Sequence, residues 1–161
     1  MTAPINLLNA DTLKKPKGTP LASNGKAYST GEIPGFIISG ELATLGDTEN
    51  AHRSASIKVD LIKALGAGKV KQVRGSYKGT KETAFVVNGG LKEVTRIGEL
   101  YDQESVLHLD SSRNAVLHYL DPRHPDGAER IGRFVAVPVE EALASEAFTF
   151  DIDQNTYYIV K

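Results

Sequence analysis

Four side chains carry the chemistry worth testing: Tyr77, Glu82, Gln103 and Glu104. A helical pattern runs up to Asp102 and a strand pattern begins at Ser105, so Gln103 and Glu104 fall at the junction between two elements. Side chains at such junctions have a rigid base and an open end, and clefts are lined by them. With the order of elements around it, this segment points to a small-molecule enzyme. Taken singly, Glu82 and Glu104 also read as solvated strand-end charges, and Tyr77 as a half-buried edge aromatic.

Other chemistries find less support. There is no cysteine, which excludes disulfides, thiolate catalysis and Cys-type zinc sites. His52, His108, His118 and His124 are the only histidines. His108 and His118 fall on adjacent predicted strands, but a metal site needs a third ligand that the spacing does not fix, so no metal or cofactor is expected. No G-x-S-x-G elbow is present. Gly75-Ser76-Tyr77-Lys78-Gly79-Thr80 lacks phosphate-loop spacing and does not open a helix. Lys81-Glu82-Thr83-Ala84-Phe85-Val86 is partly similar to the third-strand signature of RNA-recognition motifs, with Phe36 as a second stacking aromatic. Glu82 replaces its glycine, however, and a carboxylate there repels phosphate.

Composition agrees. Nineteen basic and twenty acidic side chains give a net charge of −1, which lacks the basic excess of a nucleic-acid binder. No apolar run reaches the roughly 20 residues of a membrane span, and Met1–Ala10 is not a secretory signal, so a cytoplasmic protein is expected.

These residues need a frame. Residues 1–33 hold Pro4, Pro16 and Pro20 among scattered glycines and read as an N-terminal arm; residues 34–161 read as one domain. Phe36-Ile37-Ile38 is a buried strand. A helix starts at Asp47 or Thr48, with Ala51, Ala55, Val59, Ile62 and Leu65 on its apolar face. Residues 69–77 and 83–87 form a hairpin around Lys78-Gly79-Thr80. A second helix carries Leu91, Val94, Ile97 and Tyr101. Strands follow at 105–110, 115–120 and 133–137, then a short helix at 139–145. Phe148, Phe150 and Ile152 alternate with Thr149, Asp151 and Asp153 along a further strand, and 156–160 closes the chain. Strand, helix, strand, strand, helix, strand predicts a ferredoxin-like βαββαβ sandwich, α+β in class. Its antiparallel sheet carries two helices on one face and a C-terminal β extension. The sheet's second face needs cover, from the extension and from a partner subunit, so a homo-oligomer is expected.

The ordered set resembles the phage-encoded S-adenosylmethionine (SAM) lyases, formerly called SAM hydrolases. Its elements are Phe36-Ile37-Ile38-Ser39, a helix with Asn50 and Arg53, Gly75-Ser76-Tyr77, Glu82, Gln103-Glu104-Ser105-Val106-Leu107, Gly132-Arg133-Phe134, Val137-Pro138 and Phe148-Thr149-Phe150-Asp151. The resemblance implies cleavage of SAM to methylthioadenosine and homoserine lactone, as a phage defence against restriction. It implies a trimer with sites between subunits, and Tyr77, Glu82, Gln103 and Glu104 as site residues. On that footing Glu82 and Tyr77 are the catalytic candidates. Gln103, Glu104, Ser39, Ser76, Asn50 and Arg53 are the substrate-binding ones. The same cleft would also serve a binder of SAM or an adenine nucleotide that does not turn it over.

Overall fold

The computed structural model describes residues 35–120 and 127–161. The expected arm, residues 1–33, lies outside them. Among the described residues the order is β1 (Gly35–Ile38), α1 (Asp47–Leu65), β2 (Val70–Tyr77), β3 (Thr80–Val87), α2 (Leu91–Leu100), β4 (Ser105–Leu109), β5 (Asn114–Tyr119), β6 (Ala128–Val137), α3 (Val139–Leu143), β7 (Ala147–Asp151) and β8 (Thr156–Val160).

Local chemistry sets the ends of these elements. Lys78 and Gly79 take φ values of 49° and 83°, the two left-handed residues of a tight hairpin whose twist matches its strands. The Gly46 N–H donates to Glu49 Oε1 at 3.1 Å and opens α1. α2 ends with Asp102 at φ 57°. The Asp102 N–H then reaches Glu99 O at 3.1 Å and the Gln103 N–H reaches Gly98 O at 3.0 Å. This is a Schellman stop with aspartate where glycine is usual.

The strands close into a barrel in the order β1-β3-β2-β7-β8-β6-β5-β4, with β4 pairing back onto β1. Every neighbouring pair is antiparallel. The expected open ferredoxin-like sandwich is therefore incorrect. β4-β1-β3-β2 forms only an arc of the sheet, and the remaining four strands complete the circle instead of lying on as an extension. Closure turns the sheet's second face into the barrel interior. Ile37, Val73, Leu107, Leu117, Phe134 and Tyr158 fill it. The uncovered face that motivated a partner subunit does not exist, so the expectation of an oligomer rests on the resemblance alone.

The helices cover the outer wall. α1 and α2 bury Ile57, Leu61, Val94 and Ile97 against Phe36, Ile38, Phe85 and Val87. Phe36 and Phe85 are 3% and 1% exposed, so neither can stack on a base, and the RNA-motif reading loses both aromatics. α3 packs Ala142 near Val137 and Ile159. The buried face of α1 is rotated from the expected one, which keeps only Ile62 and Leu65 partly covered. α1 buries Asn50, Ser54, Ile57 and Leu61 and leaves Val59 half exposed. On β7, Ala147, Thr149 and Asp151 are buried, while Phe148 and Phe150 stay half-buried against Tyr157.

Candidate functional site

Side chains alternate across a strand, so register decides which of them meet. Gly75 pairs with Glu82, and Ser105 with Tyr119. Following the inward-facing positions to the strand ends brings Tyr77, Glu82, Ser105 and Tyr119 to one rim of the barrel. There the chain leaves β1 through Ser39. Glu82 faces no side chain directly across, because its partner is glycine, and Tyr77 lies diagonally from it on the same face of the hairpin.

Ser39 and Glu82 are joined. The Ser39 hydroxyl lies 3.2 Å from Glu82 Oε1 and 3.1 Å from the Thr83 carbonyl. Both residues are buried. Glu82 borders an open cavity of about 280 Å³ together with Glu41, Asp47, Asn50, Arg74, Lys81 and Thr83. The acids stand on the barrel rim and the α1 side. Arg74 and Lys81 come from the β2–β3 hairpin. A cavity with both signs of charge on its walls suits a zwitterion.

The other expected residues divide. Asn50 borders the cavity, but its amide is engaged with the loop after β1: Nδ2 donates to Leu42 O at 2.9 Å, and Oδ1 accepts from Leu42 N–H at 2.9 Å. Arg53 is a staple. Its Nε donates to Gly40 O at 2.6 Å, its Nη2 to the Tyr101 carbonyl, and its guanidinium lies 5.5 Å from the Tyr101 ring centre. Gln103 is buried and donates from Nε2 to Glu41 O at 3.1 Å and Tyr101 O at 3.3 Å. Its donors thus fix the loop that presents Glu41. Glu104 directly precedes β4, its carbonyl accepting from Leu120 N–H at 2.8 Å, and its side chain is half-buried. Ser76 falls on the outer face of β2, opposite to Tyr77. Tyr77, Gln103, Glu104 and Ser76 do not line the cavity.

Sequence reasoning missed Glu41, Arg74 and Lys81. Glu41 sits in an irregular loop and belongs to no motif. The strand alternation through Arg74 could have placed it on the same outer face as Thr83, its cross-strand partner.

The histidine pair lies elsewhere, on the outer wall. His108 stacks on Phe36 with ring centres 4.6 Å apart, and His118 is 5.7 Å from His108. Burial, then the charge of His108, holds His118 below the ordinary histidine pKa. Among the described residues no group of three His, Asp or Glu side chains is placed to hold a metal ion. No helix among them is long and apolar enough to cross a membrane.

The chain is thus a closed antiparallel barrel with a charged, carboxylate-walled cavity at one rim, its lining presented by strand ends, the α1 start and one pinned loop. The S-Adenosylmethionine lyase family model matches residues 36–161, and the chain belongs to that family. No curated protein among those compared matches the chain.

Proposed function

We propose that this protein cleaves SAM to 5′-methylthioadenosine and L-homoserine lactone, with the substrate's own carboxylate as nucleophile. One carboxylate oxygen bonds to the γ-carbon, the bond from that carbon to sulfur breaks, and its electron pair stays on sulfur as a neutral thioether. No proton transfer or protein nucleophile is needed. A negative and a positive charge annihilate on the way to the transition state, so a site drier than water favours reaction. The protein's task is to hold one folded conformer.

The observation that carries this reading is the buried Glu82, held by Ser39 against the cavity of a chain that belongs to the S-Adenosylmethionine lyase family. Glu82 receives the α-ammonium. Tyr77, a neutral donor on the same hairpin face, orients the carboxylate. Tyr77 and Glu104 do not line the cavity, and a trimer with sites shared between copies is the assembly that would bring such residues to one substrate. Sedimentation measurements test that part: a monomer at working concentration removes it. Removal of SAM from restriction and methylation systems, in a phage setting, is the biological role that fits.

The test is incubation with SAM and chromatographic detection of products. Homoserine lactone appearing first supports internal displacement. Homoserine carrying solvent oxygen on its γ-carbon means attack by water instead. Intact SAM after prolonged exposure to stoichiometric protein leaves only a binder.

A further inference from the structure

We propose that Glu41 is a second ammonium-binding carboxylate of the site, acting with Glu82. This rests on the reading of the cavity as the SAM site.

Glu41 is built into place from every side. Arg53 holds the carbonyl of Gly40, and Asn50 holds both polar atoms of the Leu42 backbone. Gly40 lies so close to α1 that a Cβ there would sit 3.0 Å from both the Arg53 carbonyl and the Ile57 side chain. The Glu41 N–H donates to Ser39 Oγ at 3.0 Å. Its side chain is fixed through one oxygen only: Oε2 accepts from Ser54 Oγ at 2.9 Å and from the Thr83 N–H at 3.0 Å. The other oxygen, Oε1, hydrogen-bonds no described residue, although the residue is only 9% exposed and borders the cavity.

The carboxylate is thus anchored through one oxygen and leaves the other, which is not sealed from solvent, as an acceptor beside the cavity, with no described cation paired to it. Glu82 follows it along the same wall, linked through Ser39 and adjacent to Thr83. Two acids side by side favour a cation between them. An ammonium fits better than the other candidates. Its three N–H donors match two separate carboxylates, a sulfonium has no donor, and the described residues offer no third ligand set for a metal ion.

Three probes decide it: SAM by initial rates, and S-adenosylhomocysteine and 5′-methylthioadenosine as competitive inhibitors. The first inhibitor keeps the α-ammonium without the sulfonium, and the second lacks the amino-acid end. Glu41→Gln is expected to raise KM for SAM and the inhibition constant of S-adenosylhomocysteine by about tenfold, one charge-assisted contact, and to leave methylthioadenosine within about threefold. Unchanged S-adenosylhomocysteine inhibition, or an equal loss for methylthioadenosine, overturns the assignment. If the variant does not fold, wild-type protein and an S-adenosylhomocysteine analogue lacking the α-amino group still settle the ammonium contact: equal inhibition by the two overturns it, and weaker inhibition by the analogue supports it. Wild-type protein that neither consumes SAM nor is bound by any of the probes sinks the site reading itself.

Discussion

Ser39 and Glu82 are 43 residues apart in sequence and 3.2 Å apart in space, one leaving β1 and the other entering β3. The antiparallel pairing of those strands, Ile38 opposite Phe85, forces this meeting. Replacing Glu82 by glutamine keeps the shape and removes the charge. Turnover of SAM should fall at least about tenfold, the scale of one lost charge-assisted contact. Ser39→Ala should cost less, about threefold, because it loosens Glu82 without removing it. Initial-rate assays check both, and wild-type rates for Glu82→Gln would take that residue out of the site.

Arg53 should behave as a staple. Arg53→Met orphans the Gly40 carbonyl, leaves the Tyr101 carbonyl with the Gln103 amide in place of two donors, and is expected to lower unfolding free energy by about 1–3 kcal/mol. Urea titration measures this. Full stability joined to a large loss of SAM affinity would return Arg53 to the substrate.

Inside the barrel, Lys71 Nζ meets Asp151 Oδ2 at 2.7 Å, the lysine 24% exposed and the aspartate fully buried. Lys71→Met strands the aspartate and should destabilise by about 2–4 kcal/mol. Lys71→Met with Asp151→Leu should recover much of that loss. A denaturant double-mutant cycle reads the coupling, and additive single effects would show the pair to be inert.

His118 gives a pH dependence with a definite sign. Burial and then the His108 charge depress its folded pKa, so the unfolded chain binds the proton more readily. The contribution is complete above the unfolded value of about 6.5 and declines as pH falls through the lower folded value. Urea midpoints at pH 7.5 should exceed those at pH 5.5, and His118→Gln should shrink the difference. An unchanged difference in that variant would assign the slope to other groups.

Asp102 holds a left-handed conformation, φ 57°, at the helix stop just before Gln103. Asp102→Gly should stabilise by about 0.5 kcal/mol, since glycine takes this conformation without a Cβ penalty. Thermal unfolding checks it. A lower melting temperature would mean that the aspartate side chain contributes more than its backbone costs.

These relationships were unevenly legible in the sequence. Turn chemistry marked the Lys78–Gly79 hairpin, and periodicity placed most strands and helices, because both are local signals. Closure was not legible, since it depends on seams such as β2 with β7, about seventy residues apart, that no local pattern encodes. The α1 face was misread because Asn50 and Ser54 are buried for their hydrogen bonds, to Leu42 and Glu41, and not for apolar area. On β7 the aromatics sit outside because the interior position is taken by Asp151 for Lys71. At the site, Glu82 was legible as a strand-end acid, whereas the hydrogen bonds by which Asn50, Arg53 and Gln103 hold the loop around Glu41 are written in no motif.

A ring of strands has no first and no last member. Among the described residues every strand is bonded on both flanks, so this wall offers no row of idle amides on which a foreign chain could extend the sheet. Copies of the molecule that gather must recognise each other through side chains and helix surfaces. Substitutions there, and not along the ladder, would tune assembly while leaving the cylinder intact.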